Sequence, residues 1–203
     1  MKVYIISIRP ERLKRCLSRL PDTQEYVVVG VDGRGLDRPQ LINDGVYHPL
    51  NQFHLLTRGE LGCFLSHRAA WEQILEANDD MGAIIIEDDY MLDPEVIQQA
   101  ELHYNNVRVS DPKWNILQLI RMTYVREDVK IISRSYSIPG RSWGLAGYIV
   151  SLSGCQALLN LSKPIEEAVD TFVSTANIPG KYALIKDIGA MDDTVLSDTV
   201  GIE

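Results

Sequence analysis

The sequence predicts an α/β fold in which a mostly parallel sheet is flanked by helices. Two observations support this prediction. Short apolar runs alternate along the chain with segments of helical periodicity, and the apolar runs lack the polar alternation of a sheet with one solvated face. Strands that are apolar on both faces are typical of parallel sheets covered by helices. The 203 residues contain no repeat and no linker, so we expect a single domain over 1–203.

The first elements of the chain are short. The sequence predicts a strand, a helix and a second strand, in the order Lys2–Ile8, Glu11–Leu20 and Glu25–Val31. Pro21 ends the helix, and the turn "VDGRG" follows the second strand. Gly45 and Pro49 argue against a long element, so we expect irregular structure over Pro39–His54.

The best-defined helix runs from Arg58 to about Ala77. It begins at a capping box, "TRGE", formed by Thr57 and Glu60. Its apolar residues recur at helical spacing, and a second row of small residues allows the helix to approach a sheet closely. The turn "NDDMG" then leads into a third strand, Ala83–Glu87.

The second half of the chain is less strongly patterned. "DPEV" predicts a helix with Asp93 as its N-cap and Pro94 at its first position. The predicted strands are Ile116–Arg121, Lys130–Ser133 and "GLAGYIVS". A helix is predicted in "SGCQALLNL", with a capping box formed by Ser153 and Gln156.

Composition narrows the possible functions. The net charge is −8 and the basic residues are mostly scattered, so nucleic acid is not an expected partner. No stretch approaches the roughly 20 apolar residues of a membrane span. The N-terminal apolar run is too short for a secretory signal, so we expect a cytoplasmic protein with no transmembrane segment. Cys16, Cys63 and Cys155 are far apart in sequence and predict neither a zinc site nor a disulfide framework.

A crowded acidic cluster follows the third strand. In "AIIIEDDY", apolar residues lead directly into Glu87, Asp88 and Asp89. Adjacent carboxylates repel one another, and at least one must take up a proton unless a cation is present. Residues i and i+2 of an extended segment point to the same side, so Glu87 and Asp89 are the predicted ligands of one Mn²⁺ or Mg²⁺ ion, with Asp88 facing the other way. The alternative is a solvated acidic turn.

Several stretches, taken in order, resemble glycosyltransferase family 25, which includes bacterial lipopolysaccharide galactosyltransferases and the glycosyltransferase domains of collagen-modifying enzymes. "TRGELGCFLSHRAAWEQIL" followed by "AIIIEDDY" is similar to the family pattern GExGCxxSHxxxW and EDD. "VGVDGRGL", "WGLAGYIVSLSGCQALL" and "PIEEAVDTF" resemble further family segments. The chain departs from the family at Ser7, where Asn is common, and at Leu145 and Ala146, where Thr-His-Ala is frequent.

The resemblance implies a GT-A-like fold, a UDP-hexose donor (most often UDP-galactose), a glycan or glycolipid acceptor, and inversion at the anomeric carbon. A metal ion held by Glu87 and Asp89 would bridge to the donor diphosphate. Inversion in one step needs a general base. Asp170 in "PIEEAVDTF" is the candidate through the family match, and Glu166 and Glu167 are its competitors.

Other residues are expected to contact the donor. They are Ser7, Arg9, Arg12, Asp32, Glu60, Ser66, His67 and Asp88. His67 is expected to bind a phosphate or ribose or to orient a metal-binding acid, and its alternative is a packed core position. Trp143 and Tyr148 are candidates for stacking on a sugar. Two other functions stay open: a glycosyltransferase-like module that binds without turnover, and an unrelated metal-dependent α/β enzyme that handles phosphates.

Overall fold

The structure, a computed structural model, describes residues 1–50, 55–121, 126–142 and 144–192. The strands within these residues are β1 (Lys2–Ile6), β2 (Tyr26–Val29), β3 (Ala83–Glu87), β4 (Ile116–Gln118), β5 (Arg126–Ile131), β6 (Tyr136–Ser142), β7 (Gly147–Val150) and β8 (Lys181–Leu184). The helices are α1 (Pro10–Leu17), α2 (Arg38–Asn43), α3 (Arg58–Ala77), α4 (Pro94–Ser110), α5 (Leu152–Leu161) and α6 (Val169–Thr175), and a 3₁₀ turn covers Gly33–Gly35. None of these described helices has the length and apolar character required to cross a lipid bilayer.

The strands form one sheet in the order β2-β1-β3-β7-β4-β8-β6-β5. Strand β1 pairs in parallel with β2 and β3, and β4 pairs in parallel with β8. Strand β7 is antiparallel to both β3 and β4, and β6 is antiparallel to both β5 and β8. A short turn joins β5 to β6, which is a connection that suits antiparallel neighbours. The predicted α/β class is confirmed, with a mixed sheet flanked by helices that is consistent with a GT-A-like architecture.

The structure departs from the sequence predictions at three kinds of position. Helix α2 overlaps the segment that was predicted to be irregular. Two features favour a helix there: the Asp37 side chain caps it by accepting a hydrogen bond from the Gln40 N–H, and a proline occupies its first turn. Helix α5 is capped by Ser151, whose side chain accepts from the Gly154 N–H, and not by the predicted Ser153. Strands β6 and β8 and helix α6 were not predicted at all.

Helices cover both faces of the sheet. Helices α3, α5 and α6 pack on one face through residues such as Phe64, Trp71 and Val173. Helices α1 and α4 pack on the other face. Alternate residues of β3 belong to opposite layers: Ile85 packs with the α3 layer, and Ile84 packs with the α4 layer. This alternation places the next odd-numbered side chain, that of Glu87, on the side of α3.

The start of α3 packs closely against the turn that follows β2. A Cβ atom added to Gly62 would lie 2.7 Å from the Gly33 nitrogen, which is too close for any side chain. The Ser66 hydroxyl donates to the Gly62 carbonyl at 2.7 Å and accepts from the Val31 N–H at 2.8 Å. The predicted row of small residues therefore brings α3 close to this turn, and the turn carries Asp32.

Candidate functional site

The acidic cluster lies where β1 and β3 end side by side. Glu87 is the last residue of β3 and pairs in register with Ile6 of β1. The Asp88 N–H donates to the Ile6 carbonyl, and the Tyr90 N–H donates back to the Glu87 carbonyl. The chain thus turns immediately after Glu87, so the strand alternation that we expected through Asp89 ends earlier. The site is at the carboxyl ends of two parallel strands, which is where α/β sheets usually bind ligands.

One arginine bridges two of the three acids. Arg12 of α1 places Nη2 2.9 Å from Asp88 Oδ1 and 3.1 Å from Asp89 Oδ2. The Ser7 hydroxyl donates to Asp88 Oδ2 at 2.6 Å. Asp88 therefore faces α1, opposite to Glu87, as the sequence predicted. Arg12 contacts carboxylates in this structure, and its predicted contact with a donor phosphate stays a prediction.

The surroundings of Asp89 disfavour its charged form. Its Oδ1 atom is buried and has no hydrogen-bond partner. Burial, followed by the charge of Glu87, raises the pKa of Asp89 to about 7, although Arg12 acts in the opposite direction. A cation beside Asp89 and Glu87 would relieve both causes of this shift. The carboxylate oxygens present suit a hard divalent ion such as Mn²⁺ or Mg²⁺.

Glu87 contacts two residues of α3 that are one helical turn apart. Cys63 Sγ donates to Glu87 Oε1 at 3.8 Å, and His67 Nε2 lies 3.5 Å from the same oxygen. Burial is the main cause that raises the pKa of the Cys63 thiol well above its usual value, and Glu87 and Asp170 add to it. The cysteine spacing predicted no zinc site, yet Cys63 lies with His67 and Glu87 in a group that could hold a metal ion. The i, i+4 spacing of Cys63 and His67 on a predicted helix was the available signal.

His67 belongs to a buried chain of polar groups. Its ring is fully buried, and Nδ1 lies 3.0 Å from the Tyr148 hydroxyl oxygen. The Trp71 Nε1–H donates to that same oxygen at 2.8 Å. Tyr148 is fully buried as well, so its predicted stacking on a sugar is wrong. Trp143, the other predicted stacking residue, lies outside the described residues.

Asp170, the predicted base, lies in the first turn of α6 and is partly exposed. Its Oδ2 accepts from the Gly144 N–H at 3.0 Å, and its Oδ1 accepts from the Thr171 N–H at 2.6 Å. Its charge contributes to the raised pKa of Cys63, which places it within electrostatic reach of the acidic cluster.

The two competitors for the role of base have other partners. Glu166 is paired with His48, with 3.3 Å between Oε1 and Nδ1. Glu167 accepts a hydrogen bond from the Thr175 hydroxyl at 3.1 Å. Neither residue is among the causes that raise the pKa of Cys63 or Asp89. Of the three carboxylates, Asp170 is the one whose charge contributes to the raised pKa of Cys63, and its role as the base stays a prediction.

The remaining predicted donor contacts have structural partners in this structure. Asp32 is exposed and caps the 3₁₀ turn, and its hydrogen bonds with Arg34 lower its pKa to about 2. Arg9 is the N-cap residue of α1, and its charge also lowers the pKa of Asp32. Glu60 Oε2 accepts from the Thr57 N–H, which confirms the predicted capping box. Direct donor contacts for these residues, and for the buried Ser66, stay predictions.

Comparison with known proteins identifies the family. Residues 1–173 match the sequence model of the family described as "Glycosyltransferase family 25 (LPS biosynthesis protein)". A Mus musculus protein named "Inactive glycosyltransferase 25 family member 3" is 31% identical over 185 residues, which are 85% of this chain and 31% of that protein. The Xenopus laevis "Procollagen galactosyltransferase 1-B" is 28% identical over 173 residues, which are 78% of this chain and 28% of that protein.

A human relative gives the same result. "Procollagen galactosyltransferase 2" from Homo sapiens is 26% identical over 171 residues, which are 78% of this chain and 27% of that protein. The chain therefore spans about a third or less of the length of these curated relatives. Because the family description covers most of the sequence, this chain belongs to glycosyltransferase family 25.

Proposed function

We propose that this chain transfers a hexose, with galactose as the first sugar to test, from a UDP-sugar to a hydroxyl of a glycan or glycolipid acceptor with inversion. The observation that carries the proposal is the buried Oδ1 of Asp89, which has no hydrogen-bond partner and lies in the same acidic cluster as Glu87. Family membership supports the reaction class. The names of the procollagen galactosyltransferases support galactose as the sugar.

The cluster fits a donor-side Mn²⁺ or Mg²⁺ ion. Glu87 and Asp89 would hold it, and when bound it would stabilise the negative charge that develops on the UDP leaving group. Arg12 and Ser7 fix the neighbouring Asp88 by an ion pair and a hydrogen bond. These contacts hold the turn after β3 in one conformation, so the ligand carboxylates are positioned before the donor arrives.

Asp170 would act as the general base. The hydrogen bonds from the Gly144 and Thr171 N–H groups fix the orientation of its carboxylate. Each carboxylate oxygen has a further lone pair, so Asp170 can still accept the proton of the acceptor hydroxyl. That oxygen forms the new bond to the anomeric carbon while the bond from this carbon to the UDP oxygen breaks.

A second candidate function is a module that binds a nucleotide sugar without turnover. Relatives from mouse and human are named inactive members of the same family, and this observation favours it. The candidate predicts the same metal-dependent affinity for UDP-sugars as the transferase. It differs in predicting that UDP is never released from the bound donor.

A donor screen tests the proposal. Thermal stability would be measured with UDP-galactose, UDP-glucose, UDP-N-acetylglucosamine and GDP-mannose, each with and without Mn²⁺, and release of UDP would then be measured for every stabilising donor. The proposal predicts Mn²⁺-dependent stabilisation by a UDP-hexose and slow release of UDP. Stabilisation without release would support the binding module, and equal stabilisation by UDP, GDP and ADP would support an unrelated enzyme that handles phosphates.

A further inference from the structure

Three potential metal ligands meet on the α3 side of β3. Cys63 Sγ, His67 Nε2 and a carboxylate oxygen of Glu87 all lie within 4.8 Å of one another. Cys63 and His67 are one turn apart on α3, which is a rigid element of 20 residues, and Glu87 is fixed at the end of β3. The ligands are therefore held by the scaffold and not by loops, which favours a defined coordination geometry.

The second observation is the state of the His67 ring. Nε2 is buried, faces Glu87 and has no hydrogen-bond partner. The other ring nitrogen, Nδ1, is already engaged with the Tyr148 hydroxyl. Buried nitrogen atoms usually have a hydrogen-bond partner. A buried nitrogen without one, next to a carboxylate and a sulfur atom, is the arrangement expected of a metal ligand in a metal-free site.

We infer that Cys63, His67 and Glu87 form a site for a thiophilic divalent cation such as Zn²⁺, separate from the donor-side ion. Sulfur and imidazole nitrogen favour Zn²⁺, whereas Mn²⁺ and Mg²⁺ favour oxygen ligands alone. In tetrahedral zinc sites the ligand atoms lie roughly 3.3–3.8 Å apart, as follows from Zn–N and Zn–S bonds of about 2.0 and 2.3 Å. The observed separations of 3.5 and 3.8 Å from Glu87 Oε1 are close to this range.

Binding is accompanied by a defined change of protons. Cys63 must release its thiol proton to solvent, because the thiolate is the metal ligand. His67 must present a lone pair at Nε2, so its single ring proton must sit on Nδ1 and be donated to the Tyr148 oxygen. Zn²⁺ binding therefore fixes the tautomer of His67 with its proton on Nδ1.

The two cation sites share Glu87. A Zn²⁺ ion bound to Cys63 and His67 withdraws Glu87 from the ion that Glu87 and Asp89 would hold. If the proposed function holds, Zn²⁺ therefore inhibits UDP binding, because it raises the Mn²⁺ concentration that UDP binding needs. The existence of the zinc site does not depend on the proposed function, and its test uses no nucleotide.

The first test uses Co²⁺ as a spectroscopic probe in place of Zn²⁺. Wild-type protein titrated with Co²⁺ should show a thiolate-to-cobalt charge-transfer band in the near ultraviolet, and added Zn²⁺ should remove it. Cys63→Ser should abolish the band. The matched control is the double variant Cys16→Ser/Cys155→Ser, which removes the other two cysteines and should keep the band, because neither belongs to this group of ligands. A wild-type protein without the band, or a band that survives in Cys63→Ser, overturns the inference.

The second test needs no folded variant of Cys63. The ring nitrogens of ¹⁵N-histidine-labelled wild-type protein would be followed by NMR before and after addition of Zn²⁺. With Zn²⁺ bound we expect the His67 proton on Nδ1 and a shifted resonance of the metal-bound Nε2, and a proton on Nε2 or an unshifted Nε2 resonance at saturating Zn²⁺ contradicts the site. A cobalt band in a protein that never turns over UDP-sugars would refute the proposed function alone. Turnover without the band would refute the zinc site alone.

Discussion

Two groups of charged residues in this chain differ in how their charges are balanced. Near the far edge of the sheet, Arg121 Nη1 lies 2.7 Å from Asp128 Oδ1, and Arg121 Nη2 donates to the Leu184 carbonyl at 3.1 Å. The Ser137 hydroxyl donates to the same Asp128 oxygen at 2.6 Å. Arg121 and Asp128 therefore pair opposite charges, and the Leu184 carbonyl and the Ser137 hydroxyl add hydrogen bonds to the pair.

The cluster after β3 is balanced differently. Glu87, Asp88 and Asp89 are consecutive, and Arg12 Nη2 contacts only the last two of them within ion-pair distance. Asp89 Oδ1 stays without a hydrogen-bond partner. The comparison teaches that charge is used in two ways here. The Arg121–Asp128 pair joins opposite charges and serves the fold, whereas Asp89 keeps a buried carboxylate oxygen without a hydrogen-bond partner, which a cation can use.

The largest expected effect concerns Asp170, which is the proposed general base beside the acidic cluster. Asp170→Asn should reduce the rate of transfer by about 10²–10⁴-fold, because the amide cannot accept the proton of the acceptor hydroxyl. Affinity for the donor should stay unchanged, because Asp170 is assigned no donor contact. Transfer rate and donor affinity would be measured separately, by UDP release with acceptor and by calorimetry. Glu167→Gln is the matched control, and a normal rate in Asp170→Asn would move the base elsewhere.

The next effect concerns the Arg121–Asp128 pair. Asp128→Asn should lower the free energy of unfolding by about 3 kcal/mol, because it removes a negative charge that pairs with the buried Arg121 guanidinium. Urea unfolding would measure the loss. Metal-dependent binding of UDP should be retained below the unfolding transition. If Asp128→Asn instead abolished UDP binding without loss of stability, the division between the two clusters would be wrong.

A smaller effect is expected in the pH dependence of stability. The pKa of Asp89 is raised from 3.8 to about 7, so the native state binds more protons than the unfolded state between these values. Without a divalent ion, stability should therefore be highest below the unfolded pKa and fall as pH rises toward 7. Between pH 5 and pH 7 the loss attributable to Asp89 should be about 2 kcal/mol.

The matched control for this pH effect is Asp89→Asn, which cannot ionise. Urea unfolding of wild type and variant at several pH values would isolate the contribution of Asp89 from that of all other acids. As pH falls from 7 to 5, we expect the free energy of unfolding of the wild type to rise relative to that of Asp89→Asn. At pH 7, saturating Mn²⁺ should stabilise the wild type. Parallel pH profiles for the two proteins would show that the pKa of Asp89 is the same in the folded and unfolded states, which contradicts the prediction.

The sequence predicted the first half of the fold well because local signals there agree with packing. The Thr57 capping box and the apolar run of β3 both appear as expected. Strand β6 was missed because Pro139 and Gly140 disfavour a strand, and pairing with β5 and β8 overrides that local preference. Strand β8 has only four residues, too few for a periodic pattern to be clear.

The candidate site was predicted in part, for similar reasons. The acidic run identified Glu87, Asp88 and Asp89, but the turn that begins after Glu87 is set by backbone hydrogen bonds that no local pattern reveals. The ion pairs with Arg12 and the approach of Cys63 to Glu87 join residues from different elements, so only the tertiary structure brings them together. The sequence identified the acidic residues, and the fold determined their partners.

The most direct test of the central claim is calorimetric titration of UDP with and without Mn²⁺ into wild-type protein and Asp89→Asn. The account predicts UDP binding that depends on Mn²⁺ in the wild type. It also predicts a loss of more than about 10-fold in the variant, since even outer-shell partners of a metal typically matter by about 10–100-fold. Equal Mn²⁺-dependent UDP affinity in the two proteins, both folded, would contradict the claim that this cluster holds the ion that binds the donor.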